Sequence, residues 1–165
     1  MRSKIVFSLV LILTLLVAGV VSANPPVHQL SAGGRLELED GTFETYGFTA
    51  QVDENGVVSG QGEFHVHGLV RAHFVANCLE VEQNVAWLGG VVTQSSDPAF
   101  APIGLEFTWQ LQDNGEGVAA DPDLQSFLLP NELLPVYGLG TDCHDKGPLF
   151  ILGTFEWQQG NVQIR

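Results

Sequence analysis

The stretch from Arg71 to Thr93 constrains this chain more than any other. Its apolar and polar residues alternate in two runs that flank Gln83-Asn84. Period two is the signature of a β-strand, because successive side chains leave a strand on opposite faces. With a two-residue loop, Glu82 stands opposite Val85, Val81 opposite Ala86, Glu80 opposite Trp87 and Leu79 opposite Leu88. One face then holds Leu79, Val81, Ala86, Leu88 and Val92, and the other holds Glu80, Glu82, Val85 and Trp87. Asn84 tolerates the positive φ that a hairpin turn demands, but Gln83 is a poor first turn residue, so a loop longer than two residues is also an expectation. Before Asn77 the apolar parity reverses, and Ala72, Phe74 and Ala76 share a face. A bulge near Asn77 or Cys78 accounts for the switch. Gly89-Gly90 inside the second strand points to another bulge or to a close backbone approach.

Strand signals recur at short spacing along the rest of the chain. Asn24 to Leu30 reads as a patternless leader, and Arg35 to Glu39 as a first strand. Asp40-Gly41 is a turn signal. Thr42 to Val52 is rich in Thr, Phe and Tyr, as strands are. Asp53-Glu54-Asn55-Gly56 is a hairpin turn, and Val57 to Val66 is its return strand. Gly104 to Leu111 alternates Leu105, Phe107, Trp109 and Leu111 against polar neighbours. Val118 to Pro148 is looser and holds Pro122, Pro130 and Pro135. Leu149 to Leu152 reads as a buried strand that Thr154 to Trp157 extends, and Val162 to Ile164 as the last strand. No long amphipathic helix is present in the pattern. The expectation is an all-β fold, an antiparallel barrel or sandwich of about eight strands. A membrane barrel is the architectural rival, but the strands lack lipid-facing alternation throughout.

The N-terminus sets the compartment. Arg2 and Lys4 precede an apolar run from Ile5 to Val21, and Val21-Ser22-Ala23 supplies small residues for cleavage. This is the pattern of a signal peptide over residues 1–23, with a single domain expected over residues 24–165. No membrane span then remains, and the domain is expected in the periplasm or outside the cell. The whole chain carries a net charge of −13, and loss of Arg2 and Lys4 makes the domain more acidic still. Such a surface repels nucleic acid and anionic lipid. It is compatible with a cation or a basic partner.

Three groups of residues carry candidate chemistry. Cys78 and Cys143 are the only cysteines, and in an exported domain a pair of cysteines forms a disulfide; metal ligation and a free thiol are the alternatives. His65-x-His67 puts two imidazoles on one strand face, where they can share a metal ion. His73 joins them if the chain reverses near Gly68, and three histidines with an open position make a catalytic zinc site. His144, next to Cys143, is brought towards the hairpin by a disulfide. The acidic loop of Asp113, Asn114 and Glu116, with Asp121 and Asp123 beyond it, offers hard oxygen ligands for calcium, without EF-hand spacing. Asp142, His144 and Asp145 form a further polar cluster. No nucleophile elbow and no phosphate-binding glycine loop occurs.

Several blocks together resemble a family of small secreted bacterial all-β proteins that lacks an established function. They are Gly33-Gly34-Arg35-Leu36, Tyr46-Gly47-Phe48-Thr49-Ala50, Val66-His67-Gly68, Asn77-Cys78-Leu79-Glu80-Val81, Ala86-Trp87-Leu88-Gly89-Gly90-Val91-Val92, Asp113-Asn114-Gly115-Glu116-Gly117 and Gly160-Asn161-Val162-Gln163-Ile164. The resemblance implies an exported β domain and supplies no catalytic residues. The functional expectation is a non-enzymatic binding or cell-envelope module without a cofactor, for a ligand or protein partner yet to be defined. The alternatives are a metal-dependent enzyme at His65-x-His67 and a barrel carrier of a small apolar ligand.

Overall fold

The computed structural model describes residues 26–38, 41–117 and 119–165. The expected signal segment and its cleavage site lie outside the described residues, as does Asp40 of the Asp40-Gly41 turn. The central hairpin is formed by β4, Val70–Glu82, and β5, Val85–Ser95. Leu79 pairs with Leu88, Glu80 with Trp87, Val81 with Ala86 and Glu82 with Val85, which leaves a two-residue turn. The longer loop is therefore ruled out: Gln83 itself takes φ 57°. The apolar faces on both sides fix the register, and that outweighs the turn preference of one residue. Asn77 is the extra residue of a bulge, since Ala76 pairs with Gly90 and Cys78 with Gly89. Gly90 marks a close approach, because a Cβ there would stand 2.6 Å from the Phe107 ring.

Four more long strands extend this hairpin as an antiparallel meander. They are β1 Pro26–Glu37, β2 Phe43–Asp53, β3 Val58–Val66 and β6 Glu106–Gln112. Three two-residue strands follow: β7 Leu124–Gln125, β8 Leu129–Pro130 and β9 Phe155–Glu156. The last strand is β10, Gln159–Ile164. The sheet order is β10-β1-β2-β3-β4-β5-β6-β7-β9, with β8 also on β6. The fold is thus all-β and antiparallel, a curled half-barrel. The first expected strand is corrected: β1 starts at Pro26, where a leader was expected. Its weak strand formers are held by β2 on one side and β10 on the other, and proline is tolerated at a strand's first residue. The short strands bring the total to ten among the described residues.

The curl is sealed by side chains as well as by strands. β9 sits at one end of the sheet order and β10 at the other, yet they are almost consecutive in the chain. Across this seam Asp123 Oδ2 accepts the Val162 N–H at 2.6 Å, and Asp113 Oδ2 accepts the Ile164 N–H at 2.9 Å. The Trp157 N–H donates to the Asp123 carbonyl at 2.9 Å. The enclosed core is strongly aromatic. Trp109 packs on Tyr46 and Phe48, with centroids 4.7 Å and 5.0 Å away, and Phe74 meets the edge of Phe107 at 5.1 Å. Offset and edge-on contacts of this kind add to the gain from area burial alone.

A second core lies on the opposite face of β4 and β5. Trp87 and Cys78 point there and are covered by Leu129, Leu134, Leu139, Cys143 and Leu149. The covering segment is tied down at several points. Cys78 and Cys143 form a disulfide with a Cα–Cα distance of 6.2 Å. Trp87 Nε1 donates to the Gly147 carbonyl at 2.8 Å, and the Phe150 N–H donates to Gln110 Oε1 at 3.1 Å. β5 is consequently buried on both faces, which is why Trp87 and Leu88 are both apolar. Leu149–Leu152 is a 3-10 helix, not the buried strand that its composition predicts. Leu149 enters the second core while Ile151 remains exposed. One inserted side chain, rather than a ladder, satisfies the run. No described helix is long and apolar enough to cross a membrane.

Candidate functional site

The aromatic core fills the middle of the curled sheet and stops short of one end. At that end Leu38, just beyond β1, lines the interior together with Glu44 and Tyr46 of β2 and Phe64 and Val66 of β3. The connection before β6 adds Phe100, Ala101 and Leu105, and the chain beyond β7 adds Phe127, Leu128 and Phe155. Together they enclose a cavity of about 320 Å³, near the lower end of the size range of small-molecule sites. Its rim is aromatic and open to solvent: Phe100 is 53% exposed and Phe127 49%. Phe127 is steadied by an edge-on contact with Phe155 at 4.6 Å.

The floor of the cavity is polar. The Tyr46 hydroxyl donates to Glu44 Oε2, and the Gln125 side-chain amide bonds to Tyr46 in turn. Burial first, and then the Glu44 charge, push the Tyr46 phenol well above its ordinary pKa. Gln125 is 2% exposed, and its Oε1 has no hydrogen-bond partner. Trp157 Nε1 is likewise buried and unpaired. Buried polar atoms are nearly always paired, and an orphan calls for an explanation. A larger hollow of about 770 Å³ lies on the outer face, among short polar residues such as Ser31, Thr49, Gln61 and Thr93. Neither orphan atom belongs to its lining, and the enclosed apolar cavity is the stronger candidate.

The residues singled out from the sequence lie elsewhere. His65 and His67 share the outer face with ring centroids 4.0 Å apart, stacked. β3 and β4 pair Glu63 with His73 and His65 with Arg71, so His73 is on the same face. There it lies 3.6 Å from Glu63 Oε2, an oxygen that Arg71 also holds at 2.8 Å. The Arg71 hydrogen bond lowers the Glu63 pKa. Among the described residues no three His, Cys, Asp or Glu side chains gather as a metal centre.

The acidic loop works as part of the seam. Asp113 and Asp123 accept backbone N–H groups of β10, Asn114 donates to Asp123 Oδ1 at 2.8 Å, and Glu116 Oε1 accepts from Asn161 and Gln163. The disulfide brings His144 to the hairpin as expected, where its Nδ1 lies 2.8 Å from Glu80 Oε1. Asp142 caps the His144 N–H and Asp145 accepts from Thr141, so that cluster organises its own loop. Hydrogen bonds from Thr141 hold the Asp145 pKa below its ordinary value.

Sequence reasoning missed Glu44, Tyr46 and Gln125 as a group. The one available signal was Phe127-Leu128-Leu129, an apolar run without period inside a proline-bearing segment. Comparisons with protein-family models, curated proteins and solved structures find no match.

Proposed function

We propose that this protein is a non-enzymatic binding module of the cell exterior or periplasm that holds a small, largely apolar ligand in the cavity at the end of the curled sheet. The observation that carries this reading is the enclosed apolar cavity rimmed by exposed Phe100 and Phe127. Exposed aromatic side chains around a concavity are favourable sites for a ligand to cover. The disulfide, the expected signal segment and the resemblance to small secreted bacterial proteins support the location. The acidic charge supports a neutral or cationic ligand over an anionic one.

The test is a titration with prodan, a neutral fluorophore whose emission shifts to the blue in apolar surroundings. Saturable binding with a blue shift is expected. Leu105→Trp fills the cavity from a partly exposed position and should weaken binding at least tenfold in a protein that still melts cooperatively. Unchanged prodan affinity in that folded variant would overturn the proposal. The rival, a metal-dependent enzyme at His65 and His67, is decided by elemental analysis of protein purified without a His tag. One equivalent of zinc, lost in His67→Ala, would move that rival to first place.

A further inference from the structure

We infer that the ligand carries a hydrogen-bond donor head, an alcohol or an amine, that is received by Gln125 Oε1 at the cavity floor. The inference rests on the cavity being the binding site, as proposed above. It follows from the direction of a short hydrogen-bond relay. Tyr46 gives its only hydroxyl proton to Glu44. The Tyr46 oxygen can then only accept, and the Gln125 amide nitrogen is turned towards it. That orientation points the other end of the amide away, and its Oε1 is left without a donor.

Gln125 cannot easily turn elsewhere. Its backbone is held between β6 and β9, where it pairs with Leu111 and Phe155. The side chain is buried, and its Oε1 is left without a partner. A buried acceptor without a partner is destabilising, and a site built to pair one rejects ligands that cannot donate. Ser126, the other polar side chain of the lining, supplies no competing donor: its hydroxyl donates to the Phe127 carbonyl and accepts the Gln110 N–H.

Charge selects in the same direction. Glu44 ends the relay as a carboxylate on the cavity wall. A ligand carboxylate placed beside it adds a second negative charge in apolar surroundings and brings no donor for Gln125. An alcohol satisfies the oxygen without that repulsion. An ammonium group satisfies it and is attracted by Glu44 as well. The expected class is therefore a small apolar molecule ending in –OH or –NH₃⁺, and a fatty acid is disfavoured.

The experiment is isothermal calorimetry of the whole protein at pH 7 with octanol, octylamine and octanoate, which share a chain and differ in the head. Octanol and octylamine should each bind about tenfold tighter than octanoate, the worth of one buried hydrogen bond. Gln125→Met keeps the volume and removes the acceptor. It should cost octanol about tenfold more than it costs prodan, which has no donor. Prodan binding thus reports separately on the folded cavity. If prodan binds and octanoate equals or exceeds octanol, the head-group inference is wrong and the apolar site stands. If octanol binds Gln125→Met as tightly as the parent, water rather than ligand serves the oxygen and the inference is equally wrong. If none of the four compounds binds, the site itself is refuted.

Discussion

Replacing Asp123 by alanine should open the seam of the curled sheet. The carboxylate is 6% exposed and holds two backbone N–H groups from different parts of the chain: Asn114, at 2.8 Å, and Val162 in β10, at 2.6 Å. These losses are unequal. Asn114 is partly exposed, and its N–H can turn to water. Val162 is 0% exposed, so its N–H would be stranded in the interior. A hydrogen bond to a charged group is worth about 1.5–3 kcal/mol, and a stranded donor costs its desolvation as well, so Asp123→Ala should lose about 3 kcal/mol. Asp123→Asn keeps one acceptor and turns an NH₂ group against a donor, and should lose about 2 kcal/mol. The Trp157 N–H should be unaffected, because it binds the Asp123 backbone carbonyl. Urea unfolding followed by tryptophan fluorescence measures the total, and amide exchange at Val162 locates it. A loss under about 1 kcal/mol, with Val162 still protected, would show that the strands hold the seam without the carboxylate.

Two further perturbations test the packing on either side of β5. The disulfide spans 65 residues, and the double variant Cys78→Ala, Cys143→Ala should lose about 4 kcal/mol by the chain-entropy argument; two free thiols in unfolded, unreduced parent protein would refute the bridge itself. Gly90→Ala should cost about 1–3 kcal/mol from overpacking, since the new methyl would stand 2.6 Å from Phe107 and 3.0 Å from Phe74; thermal melting measures it, and an unchanged midpoint would mean that both rings can yield.

The hairpin was legible because its pattern is redundant. Leu79, Val81, Ala86 and Leu88 agree on one register, and a slip by one residue would turn all of them to the wrong face. The disulfide followed from having a single possible pair. The start of β1 was hidden because Gln29 and Ser31 are weak strand formers, and the pairing that rescues them comes from elsewhere in the chain, β2 for both and β10 for Ser31. Tertiary pairing overrides local preference most easily in strands. The cover over Trp87 was hidden for a related reason: its leucines enter one at a time, Leu129 from β8, Leu149 from a 3-10 turn and Leu134 and Leu139 from the chain between, and leave no period to read. The shared face of His65 and His67 was legible from their spacing alone. The relay of Glu44, Tyr46 and Gln125 was not, because β7 is only two residues long and reaches the site through its pairing with β6.

Tyr46 joins the core to the cavity, and its titration reports on both. The phenol packs on Trp109 and lies 5.8 Å from Trp157. Burial and Glu44 both favour its neutral form, which raises the folded-state pKa above the ordinary value of 10.0. In the unfolded chain the phenol ionises at about pH 10. Above that pH the unfolded state releases a proton that the folded state keeps. Stability from this group is therefore complete below about pH 10 and falls as pH rises, by up to about 1.4 kcal/mol per pH unit until the folded phenol also ionises. Tyr46→Phe removes the proton in question and should flatten this alkaline limb. It also frees the Gln125 amide from its partner, which should make the fit between Gln125 and ligand less selective for a donor head. The measurement is urea stability from pH 9 to pH 11.5 for parent and variant, with phenolate absorbance followed in the folded protein. If parent and Tyr46→Phe decline in parallel, Tyr46 is not held neutral by its surroundings. The directed relay from Glu44 to Gln125 would then lose its central member.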